Sequence, residues 1–334
     1  TNDASPTAEI AVSMAVEVFF VLSGFVLGPQ LLLCAQRKNW TTLKIFFIRR
    51  WMRTIPSYFV ALLAVSVIFG SIGTADFFRY TFYVQNLFSQ HNAYDYYPVA
   101  WSLSVEEWYY VSFPTLLLLV GKLVKRKDVW HQCLIAALLF IMTVSACRLY
   151  FGNTPDWGAS VRRVVAFRVD SIGYGFLLYL LLQRSKIVWN NLSRLLSLTF
   201  LIAAISVLFC VNIKIFSDGQ AWPRALYPFA SAAFGIAAVL FFLSLNSLVG
   251  WMSLACDFLG RISYPMYLFH IAILYFLAHF GISSGFPGLL LYSFAVIACA
   301  TLFHYGFEQP ILAYRPRYKA HPSGSPAIAG MTTT

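Results

Sequence analysis

Two adjacent carboxylates, Glu106 and Glu107, stand inside the run PVAWSLSVEEWYYVSFP, residues 98–114, amid apolar and aromatic sequence. Read as a helix, Trp101, Ser104 or Val105 and Trp108 share one face, and Ser102, Glu106 and Tyr110 share another. The apolar run continues through Val120, so the helix is long enough to enter a bilayer. An ionised carboxylate at that depth costs several kcal/mol unless it is paired or wetted, which marks the pair as a functional site. The plainer alternative is that one of the two caps the segment at the water boundary. The chemistry such groups serve is proton transfer. A second polar set is Arg50 and Arg53 in FFIRRWMRTIP, residues 46–56, one helical turn apart. Two arginines on one face can make bidentate contacts to phosphates, or else anchor the helix at lipid headgroups. A third is Ser263, Tyr267 and His270, at i, i+4 and i+7 on one face. His270 lies well inside its apolar run, where a histidine is either a hydrogen-bonded structural group or a catalyst.

The elements that must hold these groups are membrane helices. Of 334 residues, 59% are hydrophobic and 11% charged, against about 25% charged in a soluble domain. About nine runs are long enough to span, at roughly 10–35, 54–72, 99–120, 130–151, 164–183, 194–216, 225–246, 262–280 and 287–307. The expected fold is therefore all-α, a polytopic transmembrane helix bundle. It forms a single membrane domain over 1–313, with a disordered tail over 314–334. The net charge of +11 reflects the positive-inside rule rather than nucleic-acid binding. Loops 36–53, 121–129, 184–194 and 247–261, together with the tail, carry 17 of the 24 lysines and arginines, so that side is cytoplasmic and the C-terminus lies inside. The six cysteines show no paired spacing, so neither a disulfide framework nor a metal site is expected.

Other features are double-edged. Ser23-Gly24 and the glycines Gly173 and Gly175 allow close helix approach. Pro56 is expected just inside a helix start. Arg168 and Asp170 are two apart, cannot face each other on a helix, and so each needs a separate partner. The stretch from 71 to 97 is rich in aromatics and polar groups. It suits either a sugar-lining groove or an interfacial aromatic belt.

Taken together and in order, VEVFFVLSGF (16–25), FFIRRWMRTIP (46–56), VAWSLSVEEWYYVSFP (99–114), FRVDSIGYG (167–175), LGRISYPMYLFH (259–270) and FEQP (307–310) resemble the acyltransferase-3 family of bacterial cell-envelope O-acyltransferases. The resemblance implies ten helices in the bacterial inner membrane. It also implies an acyl-CoA donor, usually acetyl-CoA, no metal, and a carbohydrate or other envelope acceptor. It makes Arg50 and Arg53 the donor's phosphate contacts, and Glu106 and Glu107 catalytic carboxylates that orient a base. In the family that base is a histidine on the first helix. The chain begins in a polar stretch, Thr1 to Glu9, so that helix is expected to be missing here. His270 is the candidate within these residues. Trp101, Arg168, Asp170, Tyr264 and Tyr267 are expected to contact substrate or line the acyl path. The competing classes are a transporter or flippase of an envelope lipid or sugar, and an inactive fragment of the acyltransferase.

Overall fold

The computed structural model describes residues 6–89, 95–124, 128–151, 158–185, 189–218, 221–245, 250–282 and 285–318. Among them the chain is helical, with no strand. A lipid-embedded backbone must satisfy its own polar groups, and long apolar runs do so as helices. In chain order these are α1 (Pro6–Arg37), α2 (Trp40–Ile68), the short α3 (Ala75–Thr81), α4 (Ala100–Leu123), α5 (Val129–Phe151), a π-helical turn (Gly158–Arg162) and α6 (Val165–Arg168). There follow α7 (Asp170–Arg184), α8 (Asn191–Asp218), α9 (Ala221–Ser244), α10 (Gly250–His279), α11 (Gly285–Phe303), a second π-helical turn (His304–Glu308) and α12 (Gln309–Ala313).

Among the described residues, eight helical segments are long and apolar enough to cross a membrane. The ninth long helix, α4, has 24 residues, about 36 Å at 1.5 Å per residue. It is absent from those eight because it carries Glu106, Glu107 and Lys122 among serines and aromatics. Its polarity is tolerated because it is enclosed. Contacts with α1, α2, α5 and α7 bury Glu106, Glu107, Tyr109, Tyr110 and Phe113. By contrast, α8 and α11 present large exposed apolar residues, such as Ile202, Val207, Leu289 and Phe294, as a lipid-facing surface demands.

Two helices begin well before the spans expected from hydropathy. α2 starts at Trp40, not near 54. Lys38, at φ 48, reverses the chain after α1, and the Asn39 side chain accepts from the Thr42 N–H at 2.7 Å to cap α2. Arg50, Arg53 and Pro56 therefore lie in the helix interior rather than at its mouth. α10 likewise starts at Gly250 and contains Pro265 internally. Charged and proline-bearing segments look like flanks in a hydropathy window, but here they continue the helix. Residues 314–318, counted with the tail on sequence grounds, extend from α12 back onto α2: the Arg49 Nη1 donates to the Pro316 carbonyl at 2.8 Å. The rest of the tail, 319–334, lies outside the described residues, as do Thr1 to Ser5 and His91.

At the centre, α1 packs against α7, α9, α4, α5 and α2. Its contact with α7 is backbone to backbone. A Cβ on Gly24 would sit 1.9 Å from the Ile172 carbonyl oxygen, and one on Gly175 would sit 1.9 Å from the Val21 carbonyl oxygen. Small residues let two membrane helices approach to this distance, where dispersion and weak polar contacts replace the missing hydrophobic drive. Gly24→Ala or Gly175→Ala should lower stability by about 1–3 kcal/mol by overpacking. Gly260→Ala, where a Cβ meets nothing within 4 Å, serves as the control. Thermal unfolding in detergent checks this, and equal midpoints for all three variants would contradict it.

Candidate functional site

The first three turns of α4 meet the middle of α2 and of α10. The Thr54 hydroxyl, one turn after Arg50 on α2, donates to the Glu107 carboxylate at 2.5 Å. Trp51, on the same helix, is also a hydrogen-bonding partner of Glu107. The Tyr264 hydroxyl of α10 donates to the Thr54 carbonyl at 2.9 Å, which ties the third helix to the same point. Glu106 accepts from the Tyr110 hydroxyl one turn along α4, as the shared face predicts. It also has Ser23 of α1 as a hydrogen-bonding partner, and Arg50 and Arg53 lie within electrostatic range. Both carboxylates are buried, at 6% and 7% exposure. Their hydration is thus replaced by hydroxyls and guanidinium charge, the condition under which buried carboxylates are tolerated.

Depth follows from helix rise. Arg50 is ten residues into α2, about 15 Å from its start, and Thr54 is about 21 Å in. The middle of α2, with Arg50 and Thr54, thus lies against Glu106 and Glu107 in the first three turns of α4. The Tyr83 ring stacks on Tyr58 with centroids 4.5 Å apart, at a backbone φ of 56 unusual for an aromatic residue. Its carbonyl accepts from the Trp108 indole at 2.9 Å, and its hydroxyl is buried without a hydrogen-bond partner. Strained backbone and orphaned polar groups concentrate at functional sites. The aromatic stretch before α4 is tied to it at other points too: Gln85 Nε2 donates to Ser104 Oγ at 2.6 Å, and Asn86 Nδ2 donates to the Trp101 carbonyl at 3.0 Å.

The remaining candidates fall outside this cluster. Trp101 is buried edge-on against Phe20, with centroids 5.8 Å apart. The Tyr267 hydroxyl lies 2.5 Å from Ser102 Oγ and donates to the Val99 carbonyl at 3.1 Å, at the start of α4. His270 Nδ1 is 2.8 Å from the Tyr267 carbonyl of its own helix. No hydrogen bond or ion pair joins it to Glu106 or Glu107 among the described residues. Glu308, of the FEQP stretch, is buried and bonded to His304 Nδ1 at 2.7 Å. Arg168 and Asp170 face opposite ways, as their spacing requires. Arg168, fully buried, pairs with Glu17 of α1 at 2.5 Å and lies over the Tyr227 ring at 5.6 Å; the Tyr227 hydroxyl bonds Glu17 at 3.1 Å. Asp170, also fully buried, receives both terminal nitrogens of Arg148 at 3.0 Å.

Sequence reasoning missed Thr54, Ser23, Trp51 and Tyr83. Thr54 was detectable at i+4 from Arg50, had α2 been taken as helical throughout. Among the described residues no group of three or more histidine, cysteine or acidic side chains is placed to hold a metal.

A family model described as an acyltransferase domain, that of the acyltransferase-3 family, matches residues 2–305. A Staphylococcus aureus (strain COL) protein named "Putative O-acetyltransferase" is 25% identical over 313 residues, covering 82% of this chain and 48% of the relative. The corresponding protein of strain MSSA476 matches to the same extent. A Listeria monocytogenes protein named "Peptidoglycan O-acetyltransferase" is 28% identical over 165 residues, 42% of this chain and 26% of that protein. The chain spans about half the length of the Staphylococcus relatives, and less of the Listeria protein. No solved structure matches it.

The two buried ion pairs lend themselves to a stability test. Arg168→Ala leaves Glu17 buried with its charge uncompensated, and should cost about 3–5 kcal/mol. The double change Glu17→Gln with Arg168→Met should restore part of that. Unfolding midpoints of the three proteins in detergent decide it; an Arg168→Ala midpoint equal to wild type would show that the pair holds no helices together.

Proposed function

The chain belongs to the acyltransferase-3 family, and from that premise we propose that it is the membrane-embedded catalytic part of an O-acyltransferase. An acyl group, acetyl in the simplest case, passes from a CoA thioester to a hydroxyl of an envelope carbohydrate. Peptidoglycan, which the Listeria relative's name gives as its substrate, is one polyhydroxylated acceptor of this kind. The observation that carries this reading is the meeting of Arg50 and Arg53 with Glu106 and Glu107 across the α2–α4 contact. Guanidinium groups suit the phosphates of the donor. Carboxylates within the same site suit the proton movement that alcohol attack requires.

In the proposed reaction the acceptor oxygen attacks the thioester carbonyl, the C–S bond breaks, and CoA leaves as the thiol. The hydroxyl proton passes to a base. Glu106 and Glu107 orient that base and stabilise its protonated form, as in triad chemistry. Thr54 and Tyr110 hold the two carboxylates, while the Tyr264 hydroxyl ties α10 to the Thr54 backbone. His270 is hydrogen-bonded within α10, and Arg168 and Asp170 are engaged in buried ion pairs, so we assign these three to holding the bundle. By the distribution of lysine and arginine, the start of α2 faces the cytoplasm of a bacterium and the C-terminus lies on the same side. Donor then enters from the basic end and its acyl tail points along α2 toward the glutamates.

In the native protein, Glu106→Gln and Glu107→Gln should each lower acyl transfer at least a hundredfold with CoA affinity unchanged, within the range of general acid–base contributions. Arg50→Ala and Arg53→Ala should instead weaken CoA binding about tenfold. Release of free CoA and equilibrium binding of CoA separate the two. Wild-type turnover in both glutamine variants would remove the carboxylates from the chemistry.

A further inference from the structure

Beyond Arg50 and Arg53, two more arginines converge on the same place. Arg49 reaches residues 314–318 twice: it donates to the Pro316 carbonyl at 2.8 Å and lies over the Tyr318 ring at 5.4 Å from its centroid. Arg315, on that same segment, is within electrostatic range of Arg49, Arg50 and Arg53. The Nε atoms of Arg49, Arg50 and Arg315 and the Tyr318 hydroxyl are buried and have no hydrogen-bond partner. No salt bridge joins any of the four arginines to a carboxylate among the described residues. Glu106, which acts on Arg50 and Arg53 at longer range, is already bonded to Tyr110. Four positive charges so close repel one another, and partial burial deprives them of solvent screening. Unpartnered buried donors add a second cost. Both are relieved by a polyanion with several oxygens, and a single carboxylate or chloride does not supply enough acceptors for four forks.

We propose that Arg49, Arg315 and Tyr318 complete, with Arg50 and Arg53, one site for a phosphate-bearing anion, of which the segment 314–318 forms the outer wall. This rests on the proposed acyl-CoA donor, whose several phosphates are the anion in question. Arg50 and Arg53, deeper in α2, then hold the phosphates nearer the acyl tail, and Arg49 and Arg315 hold those farther out. The site explains why a segment beyond the last helix packs back onto α2: it is a binding element. Burial, followed by the three neighbouring arginines, brings the Arg315 guanidinium down to about 10, the direction expected for a cation among cations that lacks its anion.

The test is equilibrium binding of CoA to the native protein in nanodiscs of neutral lipid, for wild type, Arg315→Ala, Tyr318→Phe and Arg50→Ala. A parallel arm measures retention of phosphatidylglycerol. The expected result is CoA affinity ten- to a hundredfold weaker in Arg315→Ala, with a shallower dependence on salt concentration. Partial recovery is expected in Arg315→Lys, which keeps the charge but not the fork. Tyr318→Phe should bind several-fold more weakly. Thermal midpoints equal to wild type exclude misfolding as the cause, and Tyr318→Phe carries the test if Arg315→Ala does not fold. CoA binding unchanged in Arg315→Ala and Tyr318→Phe but weakened in Arg50→Ala overturns the inference and leaves the donor assignment standing. Absence of CoA binding by the wild-type protein overturns the donor assignment itself. Loss of phosphatidylglycerol retention alone then makes the anion a lipid headgroup, contrary to the proposal.

Discussion

Two carboxylates buried within the first three turns of a long membrane helix, Glu106 and Glu107 of α4, are a burden that the helix cannot carry alone, and the arrangement around α4 follows from that constraint. Glu106 and Glu107 require donors, and each of three helices supplies one: Ser23 from α1, Thr54 from α2 and Tyr110 from α4 itself. The same constraint fixes where α2 lies. Its Arg50 and Arg53 provide positive charge within reach of Glu106, and its Thr54 sets the register against Glu107. α10 follows, because Tyr264 bonds the Thr54 carbonyl. The most polar of the long helices thereby becomes the element around which the apolar ones are placed.

The opposite side of α1 solves a different problem by the same rule. Arg168 with Glu17, and Arg148 with Asp170, bury four charges as two pairs. They tie α6 to α1 and α7 to α5, beside the close approach of α1 and α7 at Gly24 and Gly175. The molecule therefore contains two kinds of buried charge. One is balanced within the protein and joins helices. The other, on α2 and the segment after α12, is an excess of positive charge in which Arg50 is buried and Arg49, Arg53 and Arg315 are partly buried, with no salt bridge to a carboxylate among the described residues.

Much of this was legible in the sequence. The all-α membrane architecture and the number of long helices follow from apolar runs. The separate partners of Arg168 and Asp170 follow from a spacing of two. That Glu106 and Glu107 need hydrogen-bonding partners follows from charge inside apolar sequence. What was not legible depended on contacts remote in the chain. Glu17 lies 151 residues from Arg168, and Arg49 lies 267 residues from Pro316, and no local periodicity announces either. The starts of α2 and α10 were misplaced because arginines and prolines lower hydropathy locally while the helix runs on.

The central claim is that donor phosphates and the carboxylate pair belong to one continuous site. The most direct measurement is photolabelling of the native protein in vesicles with a CoA thioester carrying a diazirine in its acyl chain, followed by peptide mapping. The account predicts adducts on α2 and α4 around Thr54 and Glu107 and on α10 near Tyr264, suppressed by excess unlabelled CoA. Adducts confined to the lipid-facing surfaces of α8 and α11, or unaffected by CoA, would contradict it.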